Sequence, residues 1–176
     1  RWVFDGNVDK FTQYFHALYG DEHRQSLRRG LAEAKLIVCT VGVAPCLFNE
    51  NSGQFAFTTP KRDKAGFEFD AGNYRLRTTT VAENVDNMRY VFDRLREVTP
   101  EARIVLSVSP VPLKATNEFG HVVQADCLSK STMRLVAHEL TADGQIIYWP
   151  SFEIVRWLAG HADFRAFGMD EPPHAR

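Results

Sequence analysis

The sequence predicts an α/β fold of three layers around a central, mostly parallel sheet. Two observations lead there. A helical pattern followed by a short apolar strand occurs three times along the chain, and parallel strands joined through helices form a sheet covered by right-handed crossovers. Two long irregular stretches, Asn49 to Arg77 and Pro110 to Ala125, leave from strand carboxyl ends, where open α/β sheets hold their ligands.

The first helix–strand pair is the periodic stretch through Leu27, Leu31 and Ala34 followed by Lys35 to Val41, a partly β-branched apolar run closed by Gly42. From Thr80 the pattern Thr-Val-Ala-Glu makes a capping box, in which the Thr80 hydroxyl and the Glu83 carboxylate satisfy free amides of the first turn. Val81, Val85, Met88, Phe92 and Leu95 then form one apolar stripe at helical spacing, so the helix is expected from Thr80 to Val98. Pro100 ends it, and Arg103 to Val108 is the second strand, stopped by Pro110 and Pro112. A third helix is expected over Ser129 to Thr141, with Ser129 as N-cap and Met133, Val136, Ala137 and Leu140 on one face. Gly144 leads from it into the third strand, Gln145 to Trp149.

A length of 176 residues fits one domain, spanning 1–176. Its 21 basic and 22 acidic side chains are spread evenly for a net charge of -1. No block of one sign exists to grip a phosphate backbone or a charged membrane surface, so neither nucleic acid nor membrane is an expected partner. No uninterrupted apolar run reaches the ~18 residues a spanning helix needs. Three cysteines, Cys39, Cys46 and Cys127, fit neither a disulfide framework nor a zinc site, and a reducing cytoplasm is the expected compartment. The chain opens at Arg1 on the apolar run Trp2-Val3-Phe4, unlike a solvated terminus, and further residues are expected upstream. Oligomeric state is not readable.

Neither Gly42-Val43-Ala44-Pro45 nor Pro110-Val111-Pro112 has the glycine spacing of a phosphate loop, so no nucleotide or other cofactor is expected. The histidines lack the i, i+4 spacing that would put two ligands on one helical face, and no metal is expected. Polar residues cluster instead at the strand ends: Thr40 and Gly42 after the first, Ser107 and Ser109 in and after the second, Ser151 and Glu153 after the third, with Ser129 and Lys130 opening a helix. Lys130 in an opening turn opposes the helix dipole, which an acidic or carbonyl-bearing ligand nearby would explain. His121 lies at the mouth of the same crevice, placed to contact substrate or simply solvated.

At Ser107-Val-Ser-Pro-Val-Pro-Leu113, Leu128-Ser-Lys-Ser131 and Tyr148-Trp-Pro-Ser-Phe-Glu-Ile154 the chain resembles the GSCFA domain family. The resemblance extends to Trp2-Val-Phe-Asp-Gly6 and Val38-Cys-Thr-Val-Gly-Val43, and is loose from Pro45 to Arg77. That family looks like a branch of the SGNH, or GDSL-type, hydrolases, whose three-layer flavodoxin-like fold agrees with the helix–strand pattern. The resemblance implies an ester hydrolase or acyltransferase acting on a small-molecule or carbohydrate ester. The Gly-Ser-Cys-Phe-Ala motif that names the family, whose serine is the implied nucleophile, does not occur between Arg1 and Arg176. The chain is therefore expected to start after the nucleophile block and first strand, and to be inactive alone.

An SGNH-type site also needs a histidine base with a carboxylate about three residues before it. Asp170-Glu-Pro-Pro-His174 is the candidate, with Asp170 or Glu171 orienting His174; a polar tail, or a base beyond Arg176, would read the same way. Gly42 is placed to donate to an oxyanion, but Val43-Ala44-Pro45 comes next, where SGNH enzymes usually carry an asparagine. By residue type alone, Thr40 and Gly42 also fit a plain strand-to-loop turn, Ser109 a strand-end hydroxyl, Ser129 a cap, Lys130 an ordinary exposed lysine and Glu153 a dipole-stabilising carboxylate; the resemblance raises Ser109, Ser129, Lys130 and Glu153 above those readings. Two other readings stay open: a non-catalytic module of the same fold that binds a sugar or small acid, and a flavodoxin-like cofactor carrier.

Overall fold

The computed structural model describes residues 20–23, 25–55, 74–114, 116 and 118–158. Helix α1 (helical over 20–23 and 25–33) precedes strand β1 (Leu36–Val41). A side sheet comes next, made of β2 (Pro45–Asn49), β3 (Gln54–Phe55) and β4 (Tyr74–Thr78). Then come α2 (Val81–Val98), β5 (Arg103–Val108), α3 (Val122–Leu140) and β6 (Ile146–Trp149). The described part ends in a short α4 (Ser151–Glu153) continued by a π-helical turn (Ile154–Leu158).

The main sheet has the order β1-β5-β6, and both pairings are parallel, with Val41 beside Val108 and Ser107 beside Trp149. The chain is thus the α/β protein its periodicity predicts. All three strands end at one edge, so the loops after Val41, Val108 and Trp149 leave side by side.

Side chains alternate across that sheet. Ile104, Leu106 and Val108 of β5 and Ile146 of β6 are buried against Val85 and Phe92 of α2 and Met133, Val136, Ala137 and Leu140 of α3. Val81, Met88 and Leu95 pack at the margin of the same cluster, so both predicted apolar stripes face one core. Burying Phe92, 1% exposed, alone contributes about 3 kcal/mol. Helix α2 starts where expected: Thr80 accepts from the Glu83 amide and Glu83 accepts from the Thr80 amide at 2.8 Å, completing the capping box.

Two expectations fail. The stretch from Asn49 to Arg77 is not wholly irregular, because β2 pairs antiparallel with both β3 and β4. Its signal was hidden by Arg77, a charged residue whose guanidinium lies 4.9 Å from the Phe48 ring and 4.7 Å from the Phe55 ring, where an aliphatic side chain would be expected. The third helix begins at Val122, seven residues before Ser129. His121 is its cap: the ring Nδ1 accepts from the Val123 amide at 3.1 Å, which places the ring proton on Nε2.

No helix among the described residues is long and apolar enough to cross a membrane. All three cysteines are free thiols. Burial pushes up the Cys39 thiol, and takes Cys46 to about 11 against the nearby Arg77.

Candidate functional site

Parallel register places Gly42, Ser109 and Ser151, each one or two residues beyond a strand, along one edge of the sheet. The first loop, Gly42 to Ala44, is gripped from the middle of α3. The Ala44 amide donates to Ser129 Oγ at 2.9 Å, and Lys130 Nζ donates to the Gly42 carbonyl at 2.6 Å. From the other side Thr79 donates to the Ala44 carbonyl through its hydroxyl, 2.6 Å, and its amide, 3.1 Å, while Asn84 Nδ2 donates to Thr79 Oγ1. Ala44 and Ser129 are fully buried.

Ser129 is therefore not a helix cap, and Lys130 does not sit in an opening turn; both lie midway along α3. The reading that Lys130 opposes the helix dipole is corrected accordingly. Its ammonium is drawn to a carbonyl 88 residues away. Burial, the larger effect, lowers the Lys130 pKa below the usual lysine value, Arg156 adds to this and Asp126 opposes it.

The second loop is braced by three residues that the sequence pattern did not single out. Asp126 accepts from the Leu113 amide at 2.9 Å and from Arg156 at 2.7 Å, and Arg156 Nε also donates to the Pro110 carbonyl at 2.7 Å. Glu118 ties the same loop to the end of β4, accepting from the Thr78 amide and hydroxyl at 2.9 and 2.7 Å. The i, i+4 spacing of Asp126 and Lys130 was the available signal, but it means something only once α3 is known to start at Val122. Ser109 donates its amide to the Val41 carbonyl at 2.8 Å, and its hydroxyl accepts from the Val111 amide.

In the third loop Ser151 Oγ lies 2.5 Å from Ser107 Oγ and 2.9 Å from the Val108 carbonyl, while Ser107 Oγ is 3.0 Å from the Trp149 carbonyl. Two hydroxyl protons fill two of these three contacts at a time, and the pair ties β5 to the turn after β6. Glu153 accepts from Arg134 at 2.5 Å and from the Tyr148 hydroxyl at 2.7 Å, and the Arg134 guanidinium stacks 4.4 Å from the Tyr148 ring. Burial first, and then the Glu153 carboxylate, raise the Tyr148 hydroxyl well above its ordinary value.

The structure thus brings Lys130 onto Gly42 and Ser129 onto Ala44 in the same loop, and sets Ser109 and Ser151 on neighbouring loops. Thr40 is exposed, in a β1 position alternate to the core-facing Cys39 and Val41. His121 lines an open hollow on α3 with Cys127 and Leu128. A cleft of about 630 Å³ between α3 and the turn after β6 is walled by Asp126, Lys130, Arg134, Glu153, Arg156 and Trp157. His174, Asp170 and Glu171 lie outside the described residues. Among the described residues no group of histidine, cysteine, aspartate and glutamate side chains could hold a metal ion.

These features define an α/β domain with braced loops at the carboxyl edge of a parallel sheet, the position where such sheets bind ligands. The model of the GSCFA family matches residues 13–172, and the chain belongs to the GSCFA family. No curated protein and no solved structure matches it.

Proposed function

We propose that this chain carries most of a serine-type ester hydrolase or acyltransferase of the SGNH kind, working on an acylated carbohydrate or small molecule in the crevice at the carboxyl edge of the sheet. The observation that carries the reading is convergence: three strand-end loops leave one edge side by side, each pinned by buried or half-buried side chains. Such bracing suits acyl transfer, where donors aimed at a developing oxyanion act without reorganising. Membership of the GSCFA family supports the same chemistry.

In this reading the serine of a Gly-Ser-Cys-Phe-Ala block in the full-length protein attacks the acyl carbonyl and its proton passes to His174, oriented by Asp170 or Glu171. The tetrahedral intermediate is held near Gly42, with Thr40 and Ser109 offering hydroxyls. Collapse expels the alcohol, which takes the proton back from His174. Water or a second hydroxyl then releases the acyl group. The crevice residues His121, Ser151 and Glu153 flank the bound substrate in this scheme, while Ser129 and Lys130 act through the loop they hold. The reaction proposed uses side chains and backbone amides only, in a cytoplasmic protein with neither nucleic acid nor membrane as partner.

The test is labelling of the full-length protein with a fluorophosphonate, alongside hydrolysis of a short-chain nitrophenyl ester. Label and turnover are expected in the full-length protein and neither in the 176-residue chain. A full-length protein that is inert and unlabelled yet binds a sugar would favour the binding module of the same fold. Turnover by the 176-residue chain that Ser109→Ala abolishes would move the nucleophile to Ser109.

A further inference from the structure

Consecutive residues of α3 hold the loop after β1: Ser129 takes the Ala44 amide and Lys130 the Gly42 carbonyl. The peptide between Gly42 and Val43 is trans. In a trans peptide the N–H points opposite to the C=O, so the Val43 amide is directed away from the Lys130 ammonium. Among the described residues neither the Gly42 amide nor the Val43 amide has a hydrogen-bond acceptor.

Gly42 carries a second indication. Its φ lies outside the left-handed region, and a Cβ added there would meet no heavy atom within 4 Å. The fold itself does not call for glycine at this position. Open space over a bare backbone is what a reacting group approaching those amides would need.

The choice of lysine is equally unforced by structure. Lys130 is 3% exposed, and the hydrogen bond to the Gly42 carbonyl is the one its ammonium makes among the described residues. Asp126, four residues before it on the same helix, is engaged by Arg156 and the Leu113 amide. Burying an ammonium against one carbonyl is costly, and a neutral donor would hold the loop as well. A cation on the carbonyl side does something further: it polarises the amide and strengthens the N–H at the other end.

We infer that Lys130 is a positioning residue for acyl transfer: through the Gly42 carbonyl it fixes and polarises the Gly42–Val43 peptide, so that the Val43 amide is a preset donor to the oxyanion of the tetrahedral intermediate. The inference rests on the proposed acyl-transfer activity and names a donor that stands where the asparagine of related enzymes is missing. Lys130 itself touches no reacting atom.

The experiment is steady-state kinetics on the full-length enzyme with Lys130→Met, which keeps the chain length and removes the charge and donor. The kcat is expected to fall about 100-fold, the size of losing one oxyanion donor, with KM within threefold. Phosphonylation of the serine, which passes through a similar anionic centre, should slow to match. Gly42→Ala is the second variant: it should fold like the parent and lose kcat, because the new methyl occupies the approach to the two amides. Wild-type enzyme without turnover or label would sink the acyl-transfer reading itself. Active wild type with Lys130→Met within threefold of its kcat would overturn the inference alone. Should Lys130→Met fail to fold, Gly42→Ala decides: lost turnover supports the preset amide, and unchanged turnover overturns it.

Discussion

Replacing Ser129 with alanine removes the acceptor for the Ala44 amide, and both residues have 0% exposure. A buried N–H left without a partner costs about 1–3 kcal/mol. Alanine in a helix interior recovers roughly 0.5 kcal/mol over serine, which leaves a net loss of about 0.5–2.5 kcal/mol. At about 2–4 °C per kcal/mol for a domain of this size, Tm should fall by roughly 1–10 °C. Urea unfolding followed by circular dichroism measures the free energy, and exchange of the Ala44 amide with deuterium should quicken by a matching factor. Ser109→Ala is the control: its hydroxyl accepts a 3.3 Å bond from the exposed Val111 amide, and the change should stay within about 0.5 kcal/mol. A Ser129→Ala loss no larger than that of the control would refute the claim that α3 anchors the loop after β1.

Burial pushes the Glu83 carboxyl up, but bonds from the Thr80 backbone and Arg77 outweigh it and hold the group below the ordinary glutamate value of 4.5. A depressed folded-state value means stabilisation that is complete above pH 4.5 and lost as pH falls through the lower folded value; Glu83→Gln should therefore flatten the acid limb of a Tm–pH curve, and an unchanged limb would show the capping box to be electrically silent. On the proposed acyl-transfer reading, His174→Ala in the full-length protein should cut kcat by orders of magnitude without altering Tm, whereas near-normal turnover would rule His174 out as the base. Arg156→Ala unpairs Asp126 and frees the Pro110 carbonyl; limited proteolysis should then cleave first between residues 110 and 121, and an unaltered digestion pattern would show that Arg156 does not brace that loop.

Local features were the legible ones in the sequence. The capping box at Thr80 and the five-residue stripe on α2 lie within one helix, and β5 is bounded by prolines on both sides, so its predicted limits, Arg103 to Val108, are those observed. The start of α3 was missed because its cap is a histidine ring nitrogen, outside the usual Ser, Thr, Asp and Asn set. Val122 and Val123 also read as strand formers, and with Val123 exposed neither residue adds to the apolar stripe that marks the helix. The small antiparallel sheet was missed because Arg77 takes an inward place that it can occupy only between two phenylalanine rings and beside Glu83.

The site was legible as a set of residue types and not as a set of roles, and the reason is sequence separation. Ser129 and Lys130 were picked out beside Gly42, but the partners that define them lie 85 and 88 residues away. A hydroxyl or ammonium read without its partner looks available to substrate; paired with a backbone group it is spent on holding that group still. On the proposed acyl-transfer reading, the distinction moves the chemistry from side chain to main chain. With Ser129 and Lys130 holding the loop after β1, the donors that reading calls for are the amides of Gly42 and Val43, whose side chains announce nothing, and a sequence search for polar residues finds the supports before it finds what they support.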